Sequence, residues 1–528
     1  MKNLHKILTL SLILLVSVVS CKKDDLNLTP VNDKTAADVY ATPAGYKQAL
    51  VKLYASFGLT GAGGSSASDL GGLDAGFSDF LRLYWMAQEL TTDEAICSWG
   101  DVGVPELNNS LWSTDNVFLR GLYSRSMYQI TVSNEFLRES TPEKLASRNI
   151  SGAEADQINK YRAEARFLRA YQYSILMDAF GNPPFVTEAD AIGKVAPKQI
   201  KRADLFKYVE SELKAIETEL PAARSNEYGR ADQGAAWSLL ARIYLNAEVY
   251  TGTAQYSEAI TYSAKVINAG YSLAPQYKNL FLTDNNVTSK NEMILTINYD
   301  GVKGENFGGT SYLINAAING EMNPASFGLP NGGWGGNRSR SNLPLVFGDY
   351  SGATDKRAMF FGTKLATDEV GVFTDGLRIT KFKNVSSTGV ASPSNGGSLA
   401  SLDFPIFRLA EQYLIYGEAV TRGGNGGSAA LALTYFNNLR QRAYGNASGN
   451  VASLNVNLFI DERARELYWE GFRRTDLVRY KRFTSGSYLW PFKGGVKAGV
   501  AVAETRNIFP IPTADMIANT NLVQNPGY

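Results

Sequence analysis

The chain has 528 residues, 44% apolar and 20% charged, enough to bury a large core and too apolar for a disordered or fibrous chain. Its 52 basic and 51 acidic residues leave a net charge of +1 with no long run of either sign, which argues against a nucleic-acid binder. The single histidine, His5, lies in what reads as a cleaved leader, and a mature chain without histidine excludes Ser-His-Asp and Cys-His pairs, histidine zinc sites and imidazole bases.

The leader comes first in chain order. Lys2 and Lys6 precede an apolar run from Ile7 to Val19, and small residues lead into Cys21. A charged start, a short apolar stretch and small residues before a cut define a secretory signal, and the run is short for a spanning helix of about 20 residues. Val18-Val19-Ser20-Cys21 resembles a lipobox, which would make Cys21 the lipidated first residue of the mature chain; an ordinary leader with an incidental cysteine is the alternative. Lys23-Asp24-Asp25 resembles the signal that sends lipoproteins to the outer face of an outer membrane. With Cys21 lipidated, Cys97 has no partner within the chain and reads as a small buried apolar residue. Membrane attachment would then rest on acyl chains rather than on surface charge.

Residues 21–40 read as a polar tether. Apolar residues at three- and four-residue spacing predict helices over 44–57, 118–139 and 156–180. The last stops at Gly181-Asn182-Pro183-Pro184, and a further helix over 205–220 stops at Pro221. Residues 234–250 and 256–269 predict a helix pair in which Trp237, Leu240, Ala241 and Tyr244 have tetratricopeptide first-helix spacing. A similar pair is predicted over 407–421 and 428–444, with a generic helical hairpin as the plainer alternative for each. Between 283 and 400, Asn, Gly and Ser dominate, and short apolar stretches at 293–297 and 377–382 predict a few strands between long loops. Helical pattern returns from 407 to about 483 and the chain closes on Phe509-Pro510-Ile511-Pro512, too rich in proline for a central strand. Length alone is roughly three to four domains' worth. The pattern nevertheless divides most simply into a leader (1–20), a lipidated tether (21–40) and one domain (41–528), with helical parts at 41–282 and 406–528 around a loop-rich ligand region at 283–405.

Several segments together resemble the SusD/RagB family of outer-membrane nutrient-uptake lipoproteins. They are the lipobox at Cys21, the run Arg162 to Ala170, Phe180-Gly181-Asn182-Pro183-Pro184-Phe185, the run Arg408 to Leu414, Glu462-Arg463-Ala464-Arg465-Glu466-Leu467, the run Glu470 to Leu477, and the closing Asn525-Pro526-Gly527-Tyr528. The resemblance implies a mostly α fold, a tetratricopeptide-like helical scaffold carrying a loop-rich, short-strand ligand-binding region. It implies no catalysis, and a SusC-like TonB-dependent transporter as partner, over which the lipoprotein sits as a lid. The implied location is the outer membrane, lipid-anchored and facing the cell exterior. Glu89-Leu90-Thr91-Thr92-Asp93-Glu94, Gly229-Arg230-Ala231-Asp232 and Asp300-Gly301-Val302-Lys303 resemble the family's starch-binding type, which makes an α-glucan the implied ligand. On residues alone, Glu470 with Arg474 and Arg465 with Trp469 stand four apart on a predicted helix and read as structural pairs.

Neutral glycans are held by aromatic faces stacked on sugar rings and by polar side chains on the hydroxyls. Aromatics make up 11% of the chain, with seven tryptophans. Trp85, Trp112, Trp237 and Trp469 lie in apolar or helical pattern and read as core, and Trp490 beside Pro491 and Phe492 fits either role. Trp99 before Gly100-Asp101, and Trp334 between paired glycines, read as exposed. The resemblance implies an aromatic arc of Trp99, Phe307 and Trp334, with Arg82 and Asp74 on the hydroxyls. Two positions depart from the pattern: Phe307 lacks a phenol hydroxyl, and Val102 stands where an asparagine is expected, with Asp101 or Asn331 as substitutes. No cofactor is implied beyond a structural calcium near Asp284, for which Asp284-Asn285-Asn286-Val287-Thr288 offers few carboxylates and reads better as an Asx-rich turn. Three other functions fit the residues less well: the same uptake role for another oligosaccharide or a peptide, a secreted glycosidase using paired carboxylates such as Asp93-Glu94, and a pure adaptor.

Overall fold

Local sequence explains where the helices begin and end. In the computed structural model, which describes residues 35–193 and 195–528, α1 (Pro43–Gly58) starts where Thr42 accepts from the Gly45 amide with proline at the first turn. Asp79 caps α2 (Phe80–Trp85), Asn116 caps α3 (Val117–Glu139), and α4 (Gly152–Phe180) ends at Gly181 with φ of 71°. Helices α5 (Arg202–Ala215), α6 (Gln233–Leu245) and α7 (Tyr256–Ile267) complete the first half. The leader, Cys21 and most of the expected tether lie outside the described residues; within the tether's span Thr35 caps a short helix, Ala36–Val39.

Among the described residues six short strands are joined in pairs, five of them beyond the composition change at 283 and the first well before it. They are β1 (Ala95–Cys97), β2 (Met293–Ile297), β3 (Asn337–Ser339), β4 (Phe360–Phe361), β5 (Arg378–Ile379) and β6 (Phe404–Arg408). All three pairings are antiparallel: β1 with β3, β2 with β6, and β4 with β5. The loop-rich region also holds a helix that periodicity did not predict, α8 (Gly309–Ala317), buried along its whole length. The helix expected from 407 starts later, because Phe407 and Arg408 belong to β6. α9 (Leu409–Thr421) follows, then α10 (Ala429–Tyr444), α11 (Val456–Leu467) and α12 (Arg473–Arg479).

Helices pack against one another in a series: α3 on α4, α6 on α7, α7 on α9, and α9 on α10. Tyr244, Leu240 and Ala241 bury between α6 and α7 as the tetratricopeptide spacing predicts, while Trp237 is half-buried with its indole N–H donating to Glu217. One core runs from Tyr40 to Leu522, and Trp85, Trp112, Trp469 and Trp490 are all within it. Cys97 is buried in β1.

The expected helical pairs at 465–474 do not form. Trp469 at φ 62° and Gly471 at φ 87° break the chain between α11 and α12. Glu470 turns inward to Arg408 (2.7 Å) and Lys381 (2.8 Å), and Arg474 reaches Asp178 instead. Arg408 also meets Glu466 (2.6 Å) and Glu292 (3.0 Å), and Arg357 meets Glu466, Glu462 and Asp355, all buried. This charge network joins the loop-rich region to the C-terminal helices, so removing one member would strand a buried charge.

Candidate functional site

The ladder between β1 and β3 creates the site. Cys97 pairs with Asn337, so the chain leaving β1 and the chain entering β3 lie side by side, and these two flanks carry Trp99 and Trp334. The Ser98 amide donates to Gly336 O at 2.9 Å. The glycine loop is hooked onto the C-terminal carbonyls of α8: the Trp334 amide donates to Asn315 O at 2.8 Å, and the Gly335 amide is shared between Asn315 O and Ile318 O. Helix ends leave such carbonyls unpaired, and here the loop satisfies them. Gly336 has φ of 114°, and a Cβ there would meet the Trp99 indole at 2.3 Å, so only glycine lets the loop approach the ring.

Phe307 arrives from a different segment. Asp79, the cap of α2, accepts from Asn306 Nδ2 (2.6 Å) and from the Gly309 amide (2.7 Å), which clamps the 306–309 turn onto the start of α2. Burial raises the Asp79 carboxyl above its usual range despite these donors. The result is a row of three rings. Trp99 and Trp334 have centroids 6.5 Å apart at 48°, and Trp334 and Phe307 are 6.4 Å apart at 49°. Trp99 and Trp334 are half-buried rather than free, while Phe307 is 41% exposed.

The two polar candidates differ. Asp74 is exposed, and a Cβ on Gly76 would lie 3.5 Å from its Oδ1 and 3.2 Å from Phe307 Cβ, so it stands beside Phe307. Arg82, expected on ligand hydroxyls, is only 4% exposed. Its guanidinium lies 4.3 Å from the Phe77 ring, 4.4 Å from Tyr312 and 5.6 Å from Trp99. Burial lowers its pKa; Nη1 donates to Gly76 O, and Nε has no partner among the described residues. Its place is beneath the rings, where a cation stiffens aromatic faces, and little of it is free to meet a ligand. Val102 is fully out in solvent at 75% exposure, as is Asp101, whereas Asn331 is tied to Gly396 O.

Sequence reasoning missed three contributors. Tyr312 supports both Trp99 (5.9 Å, edge to face) and Arg82, and Asp79 holds the Phe307 turn. Phe373, 41% exposed, stands against Gly335, next to the central ring Trp334 in sequence. A phenylalanine between Gly371 and Gly376 carries the same exposed-loop signal as Trp334 and could have been singled out. The calcium expectation does not fit the donors. Both Asp284 oxygens accept from Ser387, the Asn285 side-chain amide donates to Leu280 O and Asp403 O, and among the described residues no group of three acidic, cysteine or histidine side chains is arranged to hold a metal ion. Calcium requires six to eight oxygens with charge among them.

Comparison with known proteins agrees with this architecture. A family model described as "SusD family" matches residues 353–528, and one described as "Starch-binding associating with outer membrane" matches residues 91–245. The chain is 34% identical to the starch-binding protein SusD of Bacteroides thetaiotaomicron, over 100% of this chain and 99% of that protein. A solved SusD homolog from the same species superposes with a TM-score of 0.74 at 19% identity, covering 94% of this chain and 99% of that one. A solved laminarin-binding SusD-like protein superposes at 0.68 with 22% identity, covering 92% and 99%. These two share the fold, and the full-length identity carries more: the chain belongs to the SusD family, whose members bind carbohydrate and are not enzymes.

Proposed function

We propose that the protein captures starch or other α-glucan oligosaccharides at the cell surface and passes them to a SusC-like TonB-dependent transporter in the outer membrane. The observation that carries this reading is the tilted row Trp99–Trp334–Phe307, in which successive rings turn by 48° and 49°. A turning row suits the bend of an α-1,4-linked glucan better than a flat β-1,4 chain. Trp99, Trp334 and Phe307 would stack on sugar faces, Asp74 at the margin would accept from hydroxyls, and Arg82 would hold the rings from below. In this reading residues 1–20 are a cleaved leader, Cys21 is the lipidated anchor, 21–40 is the tether and 41–528 is one ligand-binding domain. Among the described residues no helix is long and apolar enough to cross a membrane, and an acylated Cys21 supplies attachment without one.

Isothermal titration against maltoheptaose, laminarin oligosaccharides, cellohexaose, fructan and a peptide pool tests the ligand. Preferential binding of maltoheptaose is expected; preference for laminarin, fructan or peptide would replace the α-glucan reading with the same role for another ligand. Cys21→Ala should release the protein from the membrane fraction, and protease added to intact cells should remove the wild type. Full protection would refute the outer-face placement.

A further inference from the structure

Two buried acids face one another at the root of the β1–β3 ladder. Glu89 lies in the π-helical turn Met86–Leu90 that continues α2, and Glu94 immediately precedes β1. Both side chains are buried, and they hydrogen-bond to each other. Both also hold the break between α11 and α12. Glu89 Oε1 accepts from the Gly471 amide (2.6 Å) and the Phe472 amide (3.1 Å). Glu94 Oε2 accepts from the amide of Trp469 (3.2 Å), the residue held at φ 62°. The Glu94 carbonyl ties the same turn to the ladder, accepting from the Trp469 indole and from the Arg340 amide, each at 3.4 Å.

The cations around the pair are engaged elsewhere. Arg473, on α12, makes two bonds of 2.7 Å to Asp93 and lies 3.6 Å from Glu94. Asp93 takes a third bond from the Tyr488 hydroxyl at 2.6 Å. Lys381, in the chain beyond β5, donates to Glu470 and to Tyr468 O. Arg340 directs its guanidinium at the carbonyls of Ala95, Asn108 and Pro491. Glu89 Oε2 is buried and meets no N–H donor among the described residues. Ionised carboxylates only accept, so a bond between two of them requires that one bring a proton. Burial and like charge both oppose the second ionisation: burial pushes Glu89 from 4.5 up to about 7, and burial together with the Glu89 charge pushes Glu94 well above 4.5.

We propose that Glu89 and Glu94 keep a proton between them at neutral pH and act as an alkaline-sensitive latch, which on losing that proton to solvent sets two buried carboxylates against each other and releases the 469–472 turn from the root of β1. While the proton is held, the Glu94 hydroxyl donates to Glu89 and the three turn amides keep their acceptors. The unfolded chain has lost these protons above pH 4.5, whereas the folded pair retains them. Stability therefore falls as pH rises from 4.5, by about tenfold in the folding constant per pH unit for each proton retained.

The test uses Glu94→Gln and Glu89→Gln in the full mature chain, since an amide keeps the shape of the acid and supplies a permanent donor in place of the proton. Urea unfolding at pH 5 and pH 8 should show the wild-type folding constant falling at least tenfold more than that of either variant; groups titrating elsewhere are common to all three chains. Hydrogen exchange over the same range should show the amides of 469–472 losing at least tenfold in protection in wild type and keeping it in the variants. Wild-type-minus-variant infrared spectra at pH 7 should contain the C=O stretch of a protonated carboxyl, shifted in D2O. Two variants allow the comparison to stand on whichever folds. Equal pH dependence in wild type and a folded variant, protection that does not change with pH in wild type, or a difference spectrum without the protonated carboxyl would each overturn the proposal.

Discussion

Replacing Trp334 by alanine removes the central ring of the row. The loop should survive, because its attachments to Asn315 O and Ile318 O are made by main-chain amides. Most of the indole is already packed against Trp99 and the protein, so at most about a third of a ring that can bury ~200 Å² is available to a sugar. Covering up to ~70 Å² of that face, at about 25 cal/mol per Å², contributes up to about 1.7 kcal/mol. Loss of preorganisation in Trp99 and Phe307, each resting on Trp334 within 6.5 Å, adds to this. A central aromatic anchor typically carries at least ~2 kcal/mol, and 2 kcal/mol is about 30-fold in Kd. Isothermal titration with maltoheptaose should therefore show Trp334→Ala binding at least ~30-fold more weakly than wild type, while the melting curve moves by only a few degrees. A folded variant with wild-type affinity would refute the stacking geometry, though not the fold.

Gly336→Ala should reproduce much of that loss without touching a ring. Its Cβ would sit 2.3 Å from Trp99 Nε1 on a backbone of φ 114°, so titration should show weakened glycan binding and tryptophan emission should report a displaced Trp99. Phe307→Tyr adds a hydroxyl to an exposed ring and should bind maltoheptaose as well as wild type or better; a tenfold loss would contradict its place in the row. Glu466→Gln should cost about 3–5 kcal/mol in urea unfolding, because it strands buried guanidiniums. Glu466 also sets an acid limit. Burial opposes its ionisation, but Arg442, Arg408 and Arg357 outweigh that and bring the carboxyl from 4.5 down to about 2. The stability it contributes is full above pH 4.5 and is lost as pH falls toward 2, so wild type should weaken between urea titrations at pH 6 and pH 3 more than Glu466→Gln does.

Much of the scaffold was written locally. Helix periodicity, the caps at Thr42 and Asp79 and the stop at Gly181 act over one or two turns, so α1, α3, α4 and α10 appear close to their predicted bounds, while α6 stops at Leu245 rather than 250. Trp99 and Trp334 of the candidate row stood out as large rings beside glycines, although the folded chain half-buries both of them. Tertiary contacts decided the rest. Trp99 and Trp334 become neighbours through a three-residue ladder between strands some 240 residues apart in sequence. Arg82 goes under the platform because Phe77 and Tyr312 close on it, and Asp79 holds Phe307 through a bond spanning 230 residues. The break at Trp469 follows from Glu470 being drawn to Arg408 and Lys381. A periodic pattern records hydrogen bonds made within four residues; it holds no information on which distant carbonyl, carboxylate or ring will complete a side chain's surroundings.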